Sequence, residues 1–130
     1  MYLRSMKSKK FSWKSRGRSF KYAFSGIVRL VGREHNMWLH ISAAIIATAL
    51  GFAFSISAME WIAIVLCIGA VFSAEAFNTA IEYLADRISS DYDEAVGRAK
   101  DVAAGAVLFL AVASVIIGSI IFIPKILVLL

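Results

Sequence analysis

A single cysteine, Cys67, occurs in 130 residues, so no disulfide can close within one chain, and zinc-type ligand spacings are absent. The chain also has no Walker or dinucleotide-binding glycine motif and no internal repeat, which removes those architectures. Charge is missing from three long runs. Met37 to Met59 and Val102 to Pro124 hold no Asp, Glu, Lys or Arg, and Trp61 to Ala85 holds only Glu75 and Glu82.

What fills those runs is apolar. Hydrophobic residues make up 60% of the chain and the mean hydropathy is +0.75, too apolar for an ordinary soluble domain of this size. Each run can cross about 30 Å of hydrocarbon as a helix. The expected fold is all-α and integral to the membrane: spans near 37–59, 61–86 and 100–124, preceded by a surface helix over 19–36 and a basic leader over 1–18. Residues 19–130 then form one domain. Three short helices have little interior, and a helix carrying acids must face protein or water, so a homo-oligomer is expected.

Basic residues set the orientation. Eight of the fourteen Lys and Arg residues lie between Arg4 and Lys21, with Arg29 and Arg33 close behind, which places the N-terminus in the cytoplasm. The connection Ser55 to Glu60 has no basic residue and belongs outside, whereas Asp86 to Asp101 carries Arg87, Arg98 and Lys100 and belongs inside. The C-terminus then lies outside. Lys125 suits an interface, but five apolar residues follow it, so the pattern leaves this tail unplaced. About 36 residues precede the first span, too many for a signal peptide.

Phe20, Phe24, Ile27, Val28 and Val31 recur at three- and four-residue spacing, apart from Lys21, Arg29 and Arg33. That pattern fits a helix lying on anionic lipid. With a span directly downstream, the phospholipid surface is a simpler partner for the basic leader than nucleic acid.

The two acids of the second run stand out, because an acid near the bilayer centre costs about 2.5 to 3.5 kcal/mol. At about 100° per residue, Glu75, Asn78, Glu82 and Asp86 fall within an arc of about 80°, with Thr79 alongside. Glu75 and Glu82 are about 10.5 Å apart along the axis, too far to share one proton or small ion directly. Separate roles follow: the lower acid suits a divalent cation near the headgroups, and the upper suits taking a proton from a group presented by lipid. In the following loop, Lys100 offers a charge for phosphate and nearby carboxylates could hold Mg²⁺. The same loop reads equally as a solvated interface anchor. His35, His40, Trp38 and Trp61 read as interface residues, and Ala103 to Ala106 as a close helix-packing patch.

The set Glu75-x-x-Asn78-Thr79-Ala80-Ile81-Glu82-x-x-x-Asp86, Ala99-Lys100-Asp101-Val102-Ala103-Ala104-Gly105-Ala106-Val107 and Glu34-His35-Asn36-Met37-Trp38-Leu39-His40 resembles the prokaryotic diacylglycerol kinase family, which includes the undecaprenol kinases. The resemblance covers roughly residues 19 to 124. It implies a homotrimer in the bacterial inner membrane, with active sites at the cytoplasmic face that transfer the γ-phosphoryl group of Mg-ATP to a lipid hydroxyl. By the same resemblance Glu75 is the general base and Asn78 orients groups beside it. Glu34 and Glu82 hold Mg²⁺, and Lys100 contacts phosphate. Asp86 and Asp101 are polar partners in the nucleotide site, and Asp91, Tyr92 and Asp93 meet the adenosine. Asn36 and His40, with Glu75, face the lipid substrate.

Wording such as Asn78-Thr79-Ala80-Ile81-Glu82, the ending Ile121-Phe122-Ile123-Pro124-Lys125, and His40 in place of a Glu resembles the undecaprenol branch. Asp86-Arg87-Ile88 and Gly97-Arg98-Ala99 resemble the diacylglycerol branch. Undecaprenol is the expected acceptor, with diacylglycerol the alternative. A proton-coupled transporter subunit or an anchor protein would explain the intramembrane acids alone, but not Lys100 and Asp101 after a carboxylate-rich loop.

Overall fold

A capping box starts the helix that carries Glu75 and Glu82: the Ser57 hydroxyl accepts from the Glu60 N–H and the Glu60 carboxylate accepts from the Ser57 N–H, satisfying two otherwise orphaned donors. In the computed structural model, which describes residues 10–130, four helices follow in order. They are α1 (Trp13–Arg33), α2 (His35–Ala53), α3 (Ala58–Ile88) and α4 (Glu94–Val128). The last three are long and apolar enough to cross a membrane, which makes this a multi-pass membrane protein. Residues 1–9 of the basic leader lie outside the described residues.

Helix bounds differ from the sequence pattern at several points. The first helix starts at Trp13 rather than 19, because Ser12 caps it by accepting from the Ser15 N–H. The first span ends at Ala53, short of Met59, since Phe54 to Ser57 form the turn and Ser55 takes φ 50°. The last begins at Glu94 rather than 100, capped by Asp93, whose carboxylate accepts from the Val96 N–H. Its far end reaches Val128 despite Pro124, which places the tail: Lys125 bonds Glu60 at 2.6 Å and the helix simply continues.

The spans α2, α3 and α4 run antiparallel in turn, since the end of α2, the start of α3 and the end of α4 meet in one cluster. At the end remote from α1, Ile56, Ile64, Ile121 and Phe122 form a buried cluster, with Trp61, Phe54 and Leu50 against it. Gly51 permits this closeness: a Cβ there would sit 2.6 Å from Trp61 Cη2. Trp61 packs on Gly51 and Phe52. Of the stretch Ala103 to Ala106 expected as a packing patch, Ala103 is buried and Gly105 partly so, while Ala104 and Ala106 are exposed.

At the other end, Glu34 alone separates α1 from α2, closing one and opening the next. The Trp38 indole N–H donates to the Val31 carbonyl at 2.6 Å, which ties the corner. Leu30 is buried, while Phe20, Phe24, Ile27 and Val28 on the same helix stay exposed.

Candidate active site

Along α3 the polar stripe becomes a buried polar surface. Glu75, Asn78 and Thr79 are the buried polar residues among those described, with Glu75 only 2% exposed. A carboxylate so placed requires a partner. It has one in His40 of α2, whose Nε2 lies 3.3 Å from Glu75 Oε2. One turn on, the Asn78 amide nitrogen lies 3.5 Å from Glu82 Oε1, so Asn78 bridges toward the lower acid. The Asn78 Oδ1 and Thr79 Oγ1 atoms have no partner.

Unpaired buried polar atoms cost about 1 to 3 kcal/mol each. Thr79 also lines a cavity of about 380 Å³ between α1 and α3, with Arg29, Leu30 and Tyr83. Thr79, at the margin of the stripe, thus faces α1, while Glu75 meets α2 and Asp86 meets α4.

Glu34 sits at the corner, half-exposed, and accepts from the Tyr83 hydroxyl at 3.2 Å. Glu34 and Glu82 thus meet neighbouring positions at one end of α3, and both offer oxygen ligands. No group of three metal-ligating side chains forms among the described residues. Carboxylate oxygens are the donors a hard cation takes, and two of them leave most of such a shell to other ligands.

The loop between α3 and α4 brings Asp86 and Lys100 together at 2.8 Å. They line a cavity of about 220 Å³ with Asp91, Tyr92, Asp93 and Gly97. Both members of the pair are partly open to solvent, so incoming phosphate can compete with Asp86 for the ammonium. Tyr92 is 89% exposed and its ring overlies Gly97. Asp93 is committed in part to capping α4. Asn36 and Asp101 are exposed, and no side-chain partner joins either to the other groups among the described residues.

Sequence reasoning missed two contacts. Tyr83 lies about 80° around the helix from Glu75, at the margin of the stripe, which was the available signal for its bond to Glu34. The His40 contact with Glu75 joins different helices, and spacing within one helix cannot reveal it.

The chain is similar to known proteins over most of its length. Residues 21–122 match the family model described as prokaryotic diacylglycerol kinase. Undecaprenol kinase of Bacillus subtilis (strain 168) is 44% identical over 108 residues, covering 83% of this chain and 88% of that one. Diacylglycerol kinase of Synechocystis sp. is 34% identical over 112 residues, 84% of this chain and 63% of that protein. Diacylglycerol kinase of Escherichia coli (strain K12) is 34% identical over 74 residues, 57% of this chain and 61% of that protein. With a match spanning most of its length and its acids gathered at one end of three membrane-length helices, the chain belongs to the prokaryotic diacylglycerol kinase family.

Proposed function

We propose that this chain is a lipid kinase that transfers the γ-phosphoryl group of ATP to the hydroxyl of a membrane lipid alcohol, with undecaprenol preferred over diacylglycerol. The observation that carries this reading is the buried Glu75 at 3.3 Å from His40, on the helix face that leads to Glu82 and Asp86. Undecaprenol is preferred because the relative of that name shares 44% identity over most of both chains.

In this reading Glu75 takes the proton of the lipid hydroxyl as the oxygen bonds to the γ-phosphorus. The bond from that phosphorus to the bridging oxygen breaks and ADP leaves. Glu34 and Glu82 would hold Mg²⁺, which when bound neutralises phosphate charge. Lys100 exchanges Asp86 for a phosphate oxygen, and Asn78 fixes the rotamers of the neighbouring acids. Asp91, Tyr92, Asp93 and Asp101 shape the nucleotide end, and Asn36 with His40 meets the lipid. Phosphoryl transfer asks chiefly for positioning and charge neutralisation, which a few side chains at a membrane interface can provide.

The kinase domain covers residues 19–130, and the leader before it anchors to anionic lipid. The exposed Phe20, Phe24, Ile27 and Val28 of α1 rest in the headgroup region of the bacterial inner membrane, with the site at its cytoplasmic face. Three copies assemble, and the unpaired Asn78 and Thr79 atoms receive partners from lipid, nucleotide or a neighbour.

The test is transfer of radiolabelled phosphate from Mg-ATP in mixed micelles offering undecaprenol and diacylglycerol side by side. Labelling of undecaprenol in excess is expected, with loss of both products in Glu75→Gln. Labelling of neither lipid by the unaltered protein would remove the kinase reading.

A further inference from the structure

His40 has two neighbours of opposite character. One is Glu75, 3.3 Å away and nearly sealed from solvent. The other is a cavity of about 240 Å³ between α2, α3 and α4, lined by His40 itself and then by Ala44, Cys67, Val71, Val115 and Gly118 among others. Beyond the histidine the lining is almost wholly apolar. The cavity thus has a polar mouth and a hydrocarbon interior, and the mouth is in contact with the carboxylate assigned to proton removal.

An occupant matching that gradient carries a hydroxyl at one end and a slender hydrocarbon directly attached to it. A glyceride places two ester groups beside its hydroxyl, and those carbonyls would enter a space where, beyond His40, only the Ser114 hydroxyl and the weakly donating Cys67 thiol face an otherwise apolar lining. A prenyl alcohol brings only carbon there. The histidine also limits Glu75. A buried carboxylate with one imidazole against it is limited in its orientation, and outer partners of this kind set the geometry on which proton transfer depends.

Resting on the lipid-kinase reading, we propose that His40 is a positioning residue that fixes Glu75 and that the adjoining cavity receives the first isoprene units of a polyprenyl alcohol acceptor. The hydroxyl then lies at the His40–Glu75 mouth and the chain runs toward Gly118.

Two measurements on the full-length protein in mixed micelles test this. The first is kinetic. His40→Ala should lower kcat by about 100-fold, the scale of a small misplacement of reacting groups, with the KM for ATP unchanged. His40→Gln, which restores an N–H donor near the Nε2 position, should recover about tenfold of that loss. The second uses the lone cysteine as a reporter that needs no turnover. Farnesol should slow alkylation of Cys67 by N-ethylmaleimide several-fold, and dioctanoylglycerol should not. In Gly118→Leu, whose added side chain meets open space and fills the cavity, the farnesol protection should vanish.

A normal kcat in His40→Ala, or equal loss in the alanine and glutamine variants, overturns the positioning role. Alkylation of Cys67 at one rate with and without farnesol overturns the tail site, as does a thiol that stays unreactive in both because a neighbouring subunit fills the space. If the unaltered protein transfers no phosphate yet farnesol still shields Cys67, the kinase reading falls and the alcohol site stands.

Discussion

The α3–α4 pair carries a lysine–carboxylate bridge at each end, and the two ends are built differently around it. At the far end Lys125 and Glu60 are 29% and 26% exposed and sit beside the Ile56, Ile64, Ile121 and Phe122 cluster. At the near end Lys100 and Asp86 are 38% and 67% exposed and face a cavity. The same chemistry closes one end and leaves the other available. Near the open bridge lie the polar atoms of Asn78 and Thr79 without partners, whereas the closed end has its cap and its core complete. The far end therefore holds the helices together, and the near end leaves its groups open.

That division breaks or holds on substitution. The largest effect should come from Glu75→Gln, which keeps the shape and removes the base: kcat should fall by about 100-fold or more while helix content in detergent is unchanged by circular dichroism. Lys100→Met should follow, raising the KM for ATP about tenfold through loss of a charge-assisted phosphate contact, with the melting temperature little altered. An unchanged KM would mean that the near bridge is structural like its counterpart.

At the far end the signs should reverse. Gly51→Leu drives a side chain into Trp61, and overpacking of this kind costs about 1 to 3 kcal/mol. Thermal unfolding in detergent should show it, with kcat per folded protein nearly retained. Ser55→Gly gives the smallest change. It relieves the positive φ of the α2–α3 turn, and the flexibility glycine adds to the unfolded chain offsets part of the gain, leaving less than about 1 kcal/mol. A large loss of activity from either far-end substitution would show that the two ends are coupled.

Much of this was legible in the sequence because membranes simplify the code. Charge-free runs gave three spanning helices, and a polar stripe at helical spacing gave Glu75, Asn78, Glu82 and Asp86, since periodicity needs no tertiary information. Ends were harder. The first span stops at Ala53 because Ser55 adopts a left-handed backbone, and no apolar pattern encodes that. Contacts between elements were invisible for a similar reason: His40 with Glu75, Tyr83 with Glu34 and Lys125 with Glu60 each join residues from 35 to 65 positions apart. Asp93 was read as a nucleotide contact, and its bond to the Val96 N–H shows that it also begins a helix.

One joint has a mechanical consequence. Because Glu34 is the sole residue between α1 and α2, α1 is a lever about 31 Å long, with a carboxylate at its pivot. A tilt of about 10° would sweep its Trp13 end through about 5 Å but displace the pivot by far less. A displacement of α1 would thus be taken up at Trp13, and the corner that holds Glu34 would stay nearly still.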